Sequence, residues 1–305
     1  MRLRRLGTTN LNVSLIGVGT WQFGGEWGKE YTEREVGAIL ATAREEGINL
    51  IDTAECYGDH LSEKLIGPNI RADRENWIVA TKFGHHYHGF QDRTRHWKPE
   101  EVEKQLDASL RALQTEYVDL YQFHSPSDEE FENQALWEKL QELREKGKIR
   151  HLGISISKNT NLFQVESAPA AGAETIQVVY NRLDMAPENA VLPACQRLDL
   201  GVLARVPLAS GFLTGKYRDG ASFANDDWRS RKDREELNRK IAEARRIEEE
   251  ELPKGASMAE WALAWVLKHP AVTCAIPGCK SPEHVRSNAR AVRHLENPER
   301  HPQAV

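Results

Sequence analysis

Eight short apolar runs recur along the chain, and between them apolar residues return every three or four positions. The runs occupy residues 14–19 (SLIGVG), 49–53 (NLIDT), 77–82 (WIVATK), 118–124 (VDLYQFH), 150–155 (RHLGIS), 175–180 (TIQVVY), 201–206 (GVLARV) and 272–277 (VTCAIP). Runs so short and so continuously apolar read as strands covered on both faces, which is the mark of parallel pairing. The segments between them carry helix boundaries. Thr32 with Glu35 spells a capping box, and Pro99 opens a segment in which Val102, Leu106, Leu110 and Leu113 share one face. Gly147 sits where a helix ends, Ser257 with Glu260 caps another, and Ser281–Pro282 opens the last.

Eight strand–helix units predict an α/β fold of the (β/α)8 TIM-barrel type, one domain over residues 1–305. An open doubly wound sheet is the competitor, but GVGTWQFGG lacks the GxGxxG spacing that fold places before a helix. The first residues read as a short hairpin around Gly7–Asn10 that closes the barrel bottom. Residues 216–234 have no apolar period and form the longest excursion.

Composition narrows the function classes. Forty-one basic and 46 acidic residues give a net charge of −5 with 40% hydrophobic residues, a soluble globular balance. Lys and Arg are not concentrated as binding a phosphate backbone requires, so no nucleic-acid partner is expected. No leader-like or membrane-length apolar stretch occurs, and the four cysteines form no CxxC pair, so a cytoplasmic protein with reduced thiols and no membrane partner is expected. The HHYHG run at residues 85–89 suggests a metal, but no cysteine or carboxylate stands at ligand spacing beside it, and none is expected.

In a barrel the chemistry belongs at the carboxyl ends of strands. Asp52 ends the second run, Tyr57 follows it, Lys82 ends the third and His124 the fourth. A phenol with an ordinary pKa of about 10 gives up its proton reluctantly at neutral pH. An adjacent ammonium lowers that value, a carboxylate holds the ammonium in place, and an imidazole steadies a substrate oxygen. The set suits proton transfer to an oxyanion as hydride reaches a carbonyl carbon, or the reverse from an alcohol.

The stretches IDTAECYG, ATKFG, DLYQFHSP, LGIS, IQVVYNRLD, VPLASGFLTGKY and IPGCKSPEHVRSN resemble, in order, the motifs of the aldo-keto reductase superfamily from about residue 2 to 290. The resemblance is nearest to bacterial-type, myo-inositol-utilisation-linked NADPH-dependent reductases. It implies a barrel that binds NADPH, with NADH as the alternative, and a small carbonyl or alcohol substrate. Tyr57 would be the general acid/base, tuned by Asp52 and Lys82, with His124 and Trp27 beside the substrate. Gly19, Thr20 and Trp21 would lie near the nicotinamide and pyrophosphate; Ser155 and Gln177 would bind the carboxamide. Leu208, Ser210 and Gly211 would hold the pyrophosphate, and Lys280, Ser281, His284 and Asn288 the adenosine and its 2′-phosphate. Arg205 stands where a stacking tyrosine is common, Ile156 where an asparagine is, and HSPSD replaces HxPD. Gly278 and His284 replace the usual Lys and Arg, so Lys280 would supply the phosphate's counter-charge. A nucleotide-binding regulator with little turnover is the alternative reading.

Overall fold

The computed structural model describes residues 1–218 and 220–305. In chain order the strands are β1 (Leu3–Arg5), β2 (Asn12–Ser14), β3 (Val18–Gly19), β4 (Leu50–Asp52), β5 (Ile78–Gly89), β6 (Asp92–His96), β7 (Val118–His124), β8 (Ile149–Ser155), β9 (Thr175–Val179), β10 (Gly201–Arg205) and β11 (Cys274–Ile276). Eight of them pair in parallel in the order β3-β4-β5-β7-β8-β9-β10-β11. Parallel bridges from Ile16 to Ala275 and from Gly19 to Gly278 join the last to the first. The ring therefore closes, as the eight-run pattern predicts.

Each run becomes a strand because it is covered twice. Side chains alternate across a strand, so Ile51, Val79 and Tyr121 meet the helices in the outer core while Leu50, Ala80, Leu120, Leu203 and Cys274 fill the barrel interior. The hairpin β1–β2 contributes Leu6 and Val13 to that interior cluster and plugs the bottom, as expected. The helix signals hold: Thr32 and Glu35 form a reciprocal capping box on Glu33–Glu45, Pro99 starts Pro99–Leu113, and Ser257 caps Met258–Leu267. Among the described residues no helix is long and apolar enough to cross a membrane.

Two expectations change. The third run does not stop at Lys82: β5 continues to Gly89 and pairs antiparallel with β6, so residues 83–96 form a hairpin standing above the rim rather than a loop. His86 and His88 stack edge-to-face on it at 4.8 Å, and Trp97 just beyond it packs against the outer core. The long excursion is also less free than its composition suggests. An antiparallel bridge joins Trp27 to Asp227, and Gly28 N–H donates to Asp226 O at 3.2 Å.

Candidate active site

On four strands the same alternation points a polar side chain inward two residues above an interior position. Leu50 is followed by Asp52, Ala80 by Lys82, Leu120 by Gln122 and Thr175 by Gln177, all four polar groups buried. Register makes them neighbours: Asp52 lies beside Ala80, Lys82 beside Gln122, and His124 beside Ser155. An apolar barrel floor thus carries a polar layer that faces the carboxyl end.

Lys82 is the hub. Its Nζ donates to Asp52 Oδ2 at 2.8 Å and to the Thr53 carbonyl at 2.7 Å, and lies 3.3 Å from the Tyr57 hydroxyl. Asp52 Oδ1 accepts from Gln177 Nε2 at 2.7 Å and from Gln122 Nε2 at 3.2 Å, so both carboxylate oxygens are satisfied. Burial disfavours the ammonium, but Asp52 and Tyr57 outweigh it and Lys82 is held charged, its pKa raised. Tyr57 departs from the expectation. Burial pushes its phenol up, Lys82 pulls it back only in part, and the balance stands at about 12. The phenol therefore keeps its proton at neutral pH, a donor rather than a phenolate.

His124 ends β7 beside this group, its ring 6.2 Å from that of Tyr57 and edge-to-face. Burial, then His85 and Lys82, hold its pKa well below the usual imidazole value, so it is neutral. Tyr57 itself is placed by glycines: a Cβ on Gly24 would fall 2.6 Å from the Tyr57 carbonyl carbon, and Gly58 beyond it has φ +70°.

Asp52 and Tyr57 face a cavity of about 400 Å³ that also touches Gly19, Thr20, Trp21, Trp27, Gln177, Arg205, Leu208, Ser210, Gly211, Lys280, His284 and Asn288. Most of the expected cofactor residues are therefore gathered around one space. Two are not. Ser155 lies behind the wall, its hydroxyl donating to Gln177 Oε1 at 3.4 Å, and Ser281 caps Pro282–Arg290 by accepting from the His284 N–H. His284 is held below the usual imidazole pKa by burial, Lys216 and Lys280, so it is a neutral wall rather than a cation.

The cavity fits a dinucleotide in three respects. Ala209, Ser210 and Gly211 have successive φ values of 49°, 58° and 94°, a left-handed turn of small residues along which backbone can approach phosphates closely. Arg205 is partly buried, its Nη2 donating to Ile156 O at 3.2 Å while its Nε has no hydrogen-bond partner among the described residues. Lys216 and Lys280 also line the cavity, and the Lys280 ammonium lies 4.8 Å from the centre of the Trp27 ring.

Several contributors escape the sequence. Gln122 is legible only from its spacing two residues after the inward-facing Leu120. Lys216 comes from the patternless excursion; Arg229 of the same excursion, whose sequence position allows it to fold over a pyrophosphate, is fixed by Asp227, by Ser210 O at 2.9 Å and by the Tyr217 hydroxyl at 2.8 Å. Glu26, buried, accepts from Trp21 Nε1 at 2.8 Å and pairs with Arg93, while Trp21, Trp27 and Trp228 pack with ring centres 5.3–5.7 Å apart, Trp27 edge-to-face on the other two, at one edge of the cavity.

A closed eight-stranded barrel with this lysine-centred group at its carboxyl rim defines the class: the chain belongs to the Aldo/keto reductase family, whose model matches residues 15–302. It is an oxidoreductase by that membership. It is similar to the NADH-specific methylglyoxal reductase of Escherichia coli, 31% identical over 311 residues that cover 94% of this chain and 92% of that protein. Among solved structures it is similar to the glycerol dehydrogenase AKR11B4 of Gluconobacter oxydans (29% identity, 98% of this chain and 92% of the other, TM-score 0.84). It is also similar to an aldo-keto reductase of Klebsiella pneumoniae in complex with NADPH (30% identity, 98% and 93% coverage, TM-score 0.72).

Proposed function

We propose that the chain reduces an aldehyde or ketone to the alcohol with NADPH as hydride donor, Tyr57 giving the proton. The observation that carries this reading is the Lys82 ammonium lying 2.8 Å from Asp52 and 3.3 Å from Tyr57, with Asp52 and Tyr57 both facing the cavity lined by the Ser210–Gly211 turn, Lys216 and Lys280. When bound, the reduced nicotinamide supplies a hydride to the carbonyl carbon. Tyr57 Oη then passes its proton to the carbonyl oxygen as negative charge builds there, and Lys82 stabilises the phenolate left behind. Asp52 keeps the ammonium charged and aimed. His124, neutral, hydrogen-bonds the same oxygen and orients it.

The left-handed turn at Ser210–Gly211 would hold the pyrophosphate, and Arg205 would supply a planar guanidinium able to pack on the nicotinamide. Lys216 and Lys280 meet the 2′-phosphate and favour NADPH; the NADH-specific relative makes NADH the comparison cofactor. The substrate class proposed is small polyhydroxylated or oxygenated carbonyl compounds. It rests on the resemblance to myo-inositol-linked reductases and on the relatives named for methylglyoxal and glycerol.

The test is Tyr57→Phe. It should bind NADPH as the parent chain does, read by fluorescence titration, while carbonyl-dependent loss of nicotinamide absorbance falls by about 10²–10⁴, the usual weight of a general acid. Undiminished turnover would remove Tyr57 from its role.

A further inference from the structure

We propose that Glu55, Cys56, His85 and His124 form a binding site for a transition-metal dication of the zinc class, which when filled pins the catalytic imidazole and stops turnover. One potential ligand atom from each of the four lies within 4.8 Å of the other three. Cys56 Sγ and His124 Nδ1 are already 3.6 Å apart. With Zn–N near 2.0–2.1 Å and Zn–S near 2.3 Å, donors around a tetrahedral zinc stand about 3.3–3.8 Å from one another, so side-chain rotation closes the remaining gap.

The second observation is independent of the spacing. Glu55 is 4% exposed and, among the described residues, its Oε2 has no hydrogen-bond partner; Nδ1 of His85 has none either. Buried polar atoms almost always have one. Here two are orphaned beside a thiol and a second imidazole. The other Glu55 oxygen is used, accepting from His85 N–H at 3.0 Å, which ties the carboxylate to the strand carrying the imidazole.

The donor set selects the metal. One thiolate, two imidazoles and a carboxylate suit zinc or cobalt(II) and not a hard alkaline-earth ion. Four protein donors fill a tetrahedron and leave no position for a substrate oxygen, so the ion acts through His124 and not as a Lewis acid on the carbonyl. As the bonds form, the Cys56 thiol loses its proton to solvent. The ring proton of His85 moves to Nε2, and Arg95 Nη1 transfers its 2.9 Å contact on that nitrogen to the His124 carbonyl, now 3.4 Å away. Arg95 and Arg93 flank the site, but each already faces a carboxylate of its own, Glu130 and Glu26. The ligands come from three separate segments, positions 55 and 56 after β4, 85 within β5 and 124 at the end of β7; His85 opens the HHYHG run, but the other three donors are distant from it in sequence.

Binding does not depend on the proposed reaction; the inhibition does, through His124. Titration of the metal-free chain with Co²⁺ should give, at one equivalent, the strong visible bands of a four-coordinate ion and a thiolate-to-cobalt charge-transfer band, both lost when Zn²⁺ is added. Cys56→Ser should remove the charge-transfer band, and Glu55→Gln or His85→Ala should weaken Co²⁺ binding at least about tenfold. Zn²⁺ should inhibit carbonyl reduction over the range in which it displaces cobalt. A weak six-coordinate cobalt spectrum in the unaltered chain, or one that Cys56→Ser leaves intact, overturns the site. Four-coordinate cobalt with turnover untouched by zinc overturns the inhibition alone. A chain inert towards every carbonyl tells against the reductase reading while the cobalt spectrum still decides the metal.

Discussion

Lys82 and Asp52 form an ion pair at 2.8 Å with 0% and 5% of their side chains exposed, and the same ammonium reaches Tyr57. Removing one member of a buried pair strands the other charge and costs about 3–5 kcal/mol, whereas replacing both by apolar groups is often nearly neutral. Lys82→Met should therefore lower unfolding free energy by that amount, measured by urea denaturation, and lower turnover with it. The double variant Lys82→Met/Asp52→Leu should regain much of the stability and none of the turnover. Recovery of both together would make the pair structural only.

Reduction and oxidation should respond differently to pH. Burial raises the Tyr57 phenol to about 12 against the pull of Lys82. Below that value the phenol is protonated and ready to donate, so the chemical step of reduction should be flat between roughly pH 6 and 9. Alcohol oxidation needs the phenolate, whose fraction rises about tenfold per pH unit below the pKa, so its rate should climb steadily over the same range. Single-turnover rates in both directions check this; a reduction rate falling near pH 7 would contradict it.

Gly24 should be sensitive although it carries no chemistry. A methyl there would sit 2.6 Å from the Tyr57 carbonyl carbon and 2.9 Å from Gly58 N. Gly24→Ala must shift the loop that aims the phenol. The expected outcome is a stability loss of about 1–3 kcal/mol by thermal denaturation, with kcat falling more than NADPH affinity.

Lys216 and Lys280 should discriminate between the two nicotinamide cofactors. A hydrogen bond to a charged group contributes about 1.5–3 kcal/mol. Lys280→Met and Lys216→Met should each weaken NADPH by about tenfold or more in Kd while leaving NADH close to unchanged, read by fluorescence titration. Equal losses for both cofactors would move the lysines off the 2′-phosphate.

Much of this protein was fixed by local pattern. The eight apolar runs, the capping pairs at Thr32–Glu35 and Ser257–Glu260, and the barrel they imply were readable because burial on both faces and helix capping act over a few residues. So were Asp52, Tyr57, Lys82 and His124, since each stands where an apolar run gives way to polar residues. Only the folded chain decided what those groups face. The Tyr57 pKa, raised where the sequence suggested lowering, depends on how completely the barrel excludes water. Ser155 fell behind the cavity wall, and Lys216 entered from a stretch with no pattern. Desolvation and the meeting of strand ends are sums over the closed ring, and no window of neighbouring residues contains them.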